Sequence, residues 1–490
     1  VKLRSIAAAM VLVTAFTLTS WAQRARPAGM GRTVTEMTQI LGRPTDRSIV
    51  LSVLTPDAGD VFVEFGTKTN SYSQRTAEMR LAAAEPAEIP IGSLLPDTRY
   101  YYRLNHRKAG AASFSQGEEY SFHTQRSPGA TFTFTVQGDS HPERRNQMFD
   151  PDLYRRTMQN VHAGNPDFHI ALGDDFSIDR IYNQGVLSAD SVAQLYIGQR
   201  NFLGMVGRSA ALFLVNGNHE QAAQYLLNGT PTSVPVLAGK ARNMFYPLPA
   251  PDEFYGGDTE PVEFLGLRRD YYAFTWGDAL FVTIDPYWHS PVQIDSGLGG
   301  QADRGGGRGG GKPRDGWAPT MGDAQYRWLR QTLAQSHAKY KFVFAHHVLG
   351  SYRGAIEAAD LFEWGGRNRQ GVDEFAKKRP GWELPVHRLM AKYGVTIFFQ
   401  GHDHLFARQQ KDDVIYQETP NPADNSYTAF NREAYLSGDV LPNSGHLRVT
   451  VSQAGAQVDY VRSWLPQDET PSQKNGTVAF SYAASGRKSQ

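Results

Sequence analysis

The 490 residues include no cysteine. No disulfide can staple the fold and no thiolate can act as nucleophile or metal ligand, so a nucleophile must come from oxygen, nitrogen or metal-bound water. An excess of charge of either sign is missing too. Fifty Lys and Arg against 49 Asp and Glu leave a net +1, which provides no electrostatic footprint for nucleic acid or an anionic membrane. The apolar run at the N-terminus, residues 6–18, falls short of the ~20 residues a membrane-spanning helix needs. It follows Lys2 and Arg4 and precedes Ser20-Trp21-Ala22. Basic, apolar and small residues in that order predict a cleaved export signal over residues 1–22, hence a secreted or periplasmic protein with no stable membrane anchor after cleavage.

What is present, with 40% hydrophobic residues, suffices for a large core and more than one domain. Residues 33–126 alternate in short apolar runs, as in 49–54 and 61–65, separated by turn formers, which predicts an all-β domain. Residues 94–104 resemble the penultimate-strand region of a fibronectin type III-like sandwich, with tyrosines expected to pack and form an interface. Arg126-Ser127-Pro128-Gly129 reads as the linker to a second domain over 130–482.

In that second domain the apolar runs 132–136, 168–172 and 211–215 each end in a polar cluster: Gly138-Asp139-Ser140-His141, Gly173-Asp174-Asp175 and Asn216-Gly217-Asn218-His219-Glu220. The segments between them are long enough for crossover helices, a β-α-β-α-β rhythm whose ligand site lies outside the carboxyl ends of the strands. Two later runs behave alike: 341–345 ends in His346-His347, and 395–399 precedes Gly401-His402-Asp403-His404. Carboxylates, imidazoles and an amide oxygen gathered at strand ends point to a metal site, and an all-O,N donor set suits Zn, Mn or Fe. The alternating runs 447–451 and 458–461 are expected to close a second sheet against the first in a layered α/β sandwich. The triple glycines on either side of Arg308 predict a flexible insertion over 297–316.

Taken together, Gly138-Asp139-Ser140-His141, Gly173-Asp174, Gly217-Asn218-His219-Glu220, His346 and Gly401-His402-Asp403-His404 resemble the ordered motifs of the calcineurin-like metallophosphoesterase superfamily. The resemblance spans residues 131–463. The front sandwich and the segments 271–285 and 325–346 resemble in addition the purple acid phosphatase branch and its bacterial relatives. The implied fold is α/β: a metallophosphoesterase sandwich of two mixed sheets flanked by helices, preceded by the all-β domain.

The resemblance also implies two divalent ions. One would be held by Asp139, His141, Asp174 and His404, the other by Asp174, Asn218, His346 and His402, with Asp174 bridging. His219, beside Asn218 but not assigned to an ion, is the candidate to protonate the leaving group, with Glu220 or Asp175 expected to orient it. His347 is either a substrate contact or a structural residue. The purple branch lacks a His two residues after its first Asp and has a Tyr three residues after its second; here His141 and Ser177 stand at those positions, which favours a divalent pair over ferric iron.

The implied activity is hydrolysis of small phosphomonoesters by attack of a metal-bound hydroxide, with no nucleic-acid scaffold. The alternatives are a phosphodiesterase acting on nucleotides or lipid head groups, and an exported binding protein with a non-catalytic metal domain. His169 and Asp175 are expected to face away from the metal ligands beside them, since neighbours along a strand point to opposite sides. Arg144, Arg145, Arg353, Arg367 and Arg408 each have the chemistry to clamp a phosphate, and sequence alone does not choose among them or set the oligomeric state.

Overall fold

A computed structural model describes residues 32–292, 294, 315–349 and 353–486; the expected export signal and most of the glycine-rich insertion lie outside them. From residue 32 onward the described residues form one compact unit. Among the described residues, no helix is long and apolar enough to cross a membrane.

The N-terminal part is all-β. A sheet of Thr38–Gly42, Ile49–Leu54 and Ala87–Ile91 packs against another built on Gly59–Gly66, Arg99–Lys108 and Ser115–His123. Pairing is antiparallel throughout, and period-two alternation places Ile49, Leu51, Val53, Val61, Val63, Tyr100 and Tyr102 in one core. Tyr102 does both jobs expected of these tyrosines: its ring is buried, and its hydroxyl donates to the Arg208 carbonyl at 2.6 Å. Arg208 caps the helix Ala189–Gly207, on which this part rests. Arg200 of the same helix is fully buried and donates to Thr38 and Ser52.

Two sheets make up the rest. The first runs Ala211–Leu214, Phe168–Ala171, Phe132–Gln137, Gly445–Val451, Ala456–Arg462, Val478–Ala484, with its first three strands parallel. The alternating C-terminal runs therefore extend the first sheet and do not build the second. Gly445–Val451 pairs antiparallel with Phe132–Gln137, Val449 opposite Phe134 and Leu447 opposite Val136. That register turns its apolar residues to the core and satisfies a strand edge that would otherwise lie open. The second sheet is centred on Ala279–Thr283, Tyr340–Phe344, Ile397–Gln400 and Val414–Glu418, which are parallel neighbours. Every residue of these four strands is buried, the signature of strands covered on both faces.

Phenylalanines fill the space between the sheets. Phe134 meets Phe168, Phe281, Phe342, Phe344 and Phe399 with ring centroids 5.5, 5.0, 5.4, 6.3 and 6.2 Å away. Each such pair contributes about 0.5–1.5 kcal/mol beyond the area it buries. This packing holds the carboxyl ends of Phe132–Gln137, Phe168–Ala171, Ala211–Leu214, Tyr340–Phe344 and Ile397–Gln400 at one edge of the molecule, and the five polar clusters follow those ends.

Candidate metal centre

After three of the five strands the chain turns through positive φ. His141, Asp174, His402 and His404 all have positive φ, at 48°, 56°, 79° and 55°, a region that costs a residue with a Cβ about 1–2 kcal/mol. Such strain persists only where the surroundings over-determine it, and here four side chains are turned inward together. Two glycines make the approach possible. A Cβ on Gly217 would lie 2.2 Å from Asp174 Oδ1, and one on Gly401 2.5 Å from Asp139 Oδ1.

Each aspartate has one oxygen tied down and one left facing the histidines. Asp139 Oδ1 accepts from the His402 amide and Asp174 Oδ1 from the His219 amide, both at 2.8 Å. Around the other oxygens two donor sets form. In the first, Asp139 Oδ2 lies 3.1 Å from His404 Nε2 and 3.7 Å from His141 Nε2, and those two nitrogens are 3.2 Å apart. In the second, His346 Nε2 lies 3.1 Å from Asp174 Oδ2, 3.1 Å from Asn218 Oδ1 and 3.2 Å from His402 Nδ1. Asp174 Oδ2 is also 3.7 Å from His141 Nε2, so it stands between the sets; Asp139 Oδ2, 3.8 Å from His346 Nε2, reaches toward the second as well.

Donor spacing and chemistry both fit metal ions. Atoms bonded to one ion at about 2.0–2.2 Å stand about 3.0–3.6 Å apart, close to the separations within each set. His346 Nδ1 donates to the Leu172 carbonyl and His141 Nδ1 to Glu143, at 2.8 and 2.9 Å. That tautomer leaves both Nε2 atoms converging with carboxylate and amide oxygens, an arrangement a metal ion satisfies. All the aspartates and histidines of the two sets are buried. The field they create is negative: although burial opposes its charge, His346 is drawn up to about 10 by Asp174 and Asp139. Glu143, despite burial, is held at about 2 by His141.

His219 lies beside Asp174 without belonging to either set. Its Nε2 is 3.9 Å from Asp174 Oδ2, its ring stands edge-on to His141 at 5.1 Å, and with His141 and Asp174 it forms a third group of metal-ligand geometry. Its Nδ1 bonds Asp179 Oδ2 at 2.7 Å, so neither Glu220 nor Asp175 is its partner. Glu220 is buried and spends its carboxylate on the amides of Asp174, Asp175, Phe176 and Gly217. Those bonds weld the second cluster to the third. Asp175 bonds Ser140 and Gln137, and burial pushes its carboxyl well above the usual range. His169 bonds Thr135 and Gln137, away from both sets. His347 is buried, bonded to the Tyr287 hydroxyl at 2.8 Å and stacked on His402 at 4.8 Å. Ser177 is buried where the purple branch has tyrosine, and Tyr182 is 41% exposed.

Glu143, Asp179 and Tyr287 carry these contacts without having been singled out in the sequence. Glu143 had a signal, two residues past His141 in the same turn. Asp179 and Tyr287 had none, because only folding brings them to His219 and His347.

The sequence model of the calcineurin-like phosphoesterase family matches residues 132–406, more than half of the chain. Among solved structures, purple acid phosphatase PPD1 from seeds of yellow lupin (Lupinus luteus) superposes with a TM-score of 0.59 at 14% identity, over 92% of this chain and 74% of that one. PhoD superposes with a TM-score of 0.61 at 15% identity, over 95% and 94%. At such identities the likeness shows the fold. No curated protein sequence matches the chain.

Proposed function

Because the chain belongs to the calcineurin-like phosphoesterase family, we propose that it is an exported dinuclear-metal hydrolase releasing phosphate from small phosphomonoesters. The single observation that carries the reading is the pair of buried donor sets around Asp139 and Asp174, each of which has an oxygen within 4 Å of histidines on both sides. Asp139, His141, Asp174 and His404 would hold one divalent ion; Asp174, Asn218, His346 and His402 would hold the other. Two such ions supply an activated water nucleophile and neutralise charge on the phosphoryl oxygens.

The chain's own groups do the rest. Leu172 and Glu143 orient the rings of His346 and His141, which would leave their Nε2 lone pairs available to hold the ions. Asp179 fixes the ring of His219, whose Nε2 borders the donor sets. We assign His219 Nε2 as the group that delivers a proton to the leaving oxygen. His347, locked between Tyr287 and His402, supports His402 from behind. The basic-apolar-small order of residues 1–22 supports export, and the all-β part, 33–126, is read as a domain of its own preceding the catalytic one at 130–482.

The test is hydrolysis by one metal-loaded preparation of 4-nitrophenyl phosphate and of bis(4-nitrophenyl) phosphate. Preference for the monoester is expected; preference for the diester would make the protein a phosphodiesterase, and no turnover of either with both ions bound would make it a binding protein.

A further inference from the structure

Of the five arginines able to clamp a phosphate, one turns its guanidinium to the candidate proton donor, His219. Arg145 and Arg367 are exposed, Arg408 bonds Gln410 and lies over Tyr482, and Arg353 is committed to Asp403 and the His402 carbonyl. Arg144 closes the turn Pro142–Arg144 that His141 opens with its positive φ, so the backbone that presents His141 also presents this guanidinium. Nε lies 3.3 Å from Glu143 Oε1 and Nη1 3.2 Å from Met148 Sδ. Those contacts aim Nη2 at His219 Nε2, 3.2 Å away, on the side of the imidazole that is 3.9 Å from Asp174 Oδ2. The side chain is 30% exposed and is reachable by a ligand entering from solvent.

We propose that Arg144 binds the phosphoryl group of the substrate and selects phosphomonoesters over diesters, a claim that rests on the phosphoesterase reading above. A contact between guanidinium and imidazole is readily exchanged for a charge-assisted bond to a phosphoryl oxygen, about twice as strong as a neutral one. With the leaving oxygen beside His219 Nε2, a non-bridging oxygen falls on the Arg144 side. A monoester carries three such oxygens and about −1.5 to −2 of charge at pH 7; a diester carries two oxygens and a single charge. The guanidinium therefore gains more from the monoester.

The experiment uses metal-loaded wild type, Arg144→Gln and Arg144→Lys, with metal per protein measured for each. Arg144→Gln is expected to lower kcat/KM for 4-nitrophenyl phosphate about 10- to 100-fold, to lower that for bis(4-nitrophenyl) phosphate by a clearly smaller factor, and to weaken inorganic phosphate binding in calorimetry in step with the first change. Arg144→Lys, which keeps the charge, recovers part of both losses, with metal content the same throughout. Equal losses on both esters with unchanged phosphate affinity would overturn the proposal, since Arg144 would then act only by positioning His219; so would no loss at all. Should the wild type hydrolyse neither ester, the phosphoesterase reading fails while calorimetry still decides Arg144: phosphate held by wild type and lost in Arg144→Gln sustains its role, and equal binding or none overturns it.

Discussion

A proton donor at His219 Nε2 sets a particular pattern of damage. His219→Asn should keep its metals and lose about 10²–10⁴-fold in turnover of esters with poor leaving groups, the usual worth of general acid catalysis. Loss should be much smaller for 4-nitrophenyl phosphate, whose leaving group scarcely needs a proton. Loss of an ion instead would make His219 a ligand, as its grouping with His141 and Asp174 permits. The two aspartates are separated by metal content. Asp174→Asn, assigned here as the bridge, is expected to lose both ions, and Asp139→Asn mainly one; the reverse order would make Asp139 the bridge. At this scale the sequence showed the donors and hid their supports. Asp139, His141, His346, His402 and His404 follow strand ends and could be read from motif spacing, but Asp179 is paired with His219 by the turn into Ile178–Asn183, which no periodicity announces.

Between elements, the metal centre depends on how tightly the loops after adjacent strands approach. Glu220 binds four backbone amides across the loops after Phe168–Ala171 and Ala211–Leu214. Gly217 lies so close to Asp174 that a methyl group would collide with Oδ1. Gly217→Ala is therefore expected to fold with its strands intact, by circular dichroism, yet to bind metal at least about tenfold more weakly, the loss that follows when support around metal ligands is disturbed; unchanged affinity would show that the loops give way freely. The strands themselves were legible because Phe168–Ala171, Ala211–Leu214 and Tyr340–Phe344 are short and mostly apolar. The destination of Gly445–Val451 was not. An alternating strand announces one buried face but not which sheet edge it will join, and its pairing with Phe132–Gln137 is a contact across some three hundred positions.

For the molecule as a whole, acid should be destabilising through two histidines outside the donor sets. Burial holds His169 at about 3, and burial with neighbouring His169 and Arg448 holds His446 at about 3, against 6.5 for an exposed imidazole. Between those values the unfolded chain binds more protons than the folded one, so stability is full above about 6.5 and falls as pH drops toward 3. Urea midpoints measured from pH 7 to pH 4 should decline, and His169→Asn with His446→Asn should flatten that decline; an unchanged slope would place its origin elsewhere. Arg200 tests how the all-β part is fastened on. Arg200→Met strands the carbonyls of Thr38, Ser52 and Phe245 and is expected to cost about 1–3 kcal/mol in urea unfolding for each acceptor left buried and unsatisfied.

Two ions acting together are the centre of the account, and counting them against activity tests it most directly. Metal-stripped protein titrated with Mn or Zn should hydrolyse 4-nitrophenyl phosphate in proportion to occupancy of the second ion, reaching its plateau at two equivalents per chain. Full activity in the stripped protein, or a plateau at one equivalent with the second ion bound to no effect, would contradict it.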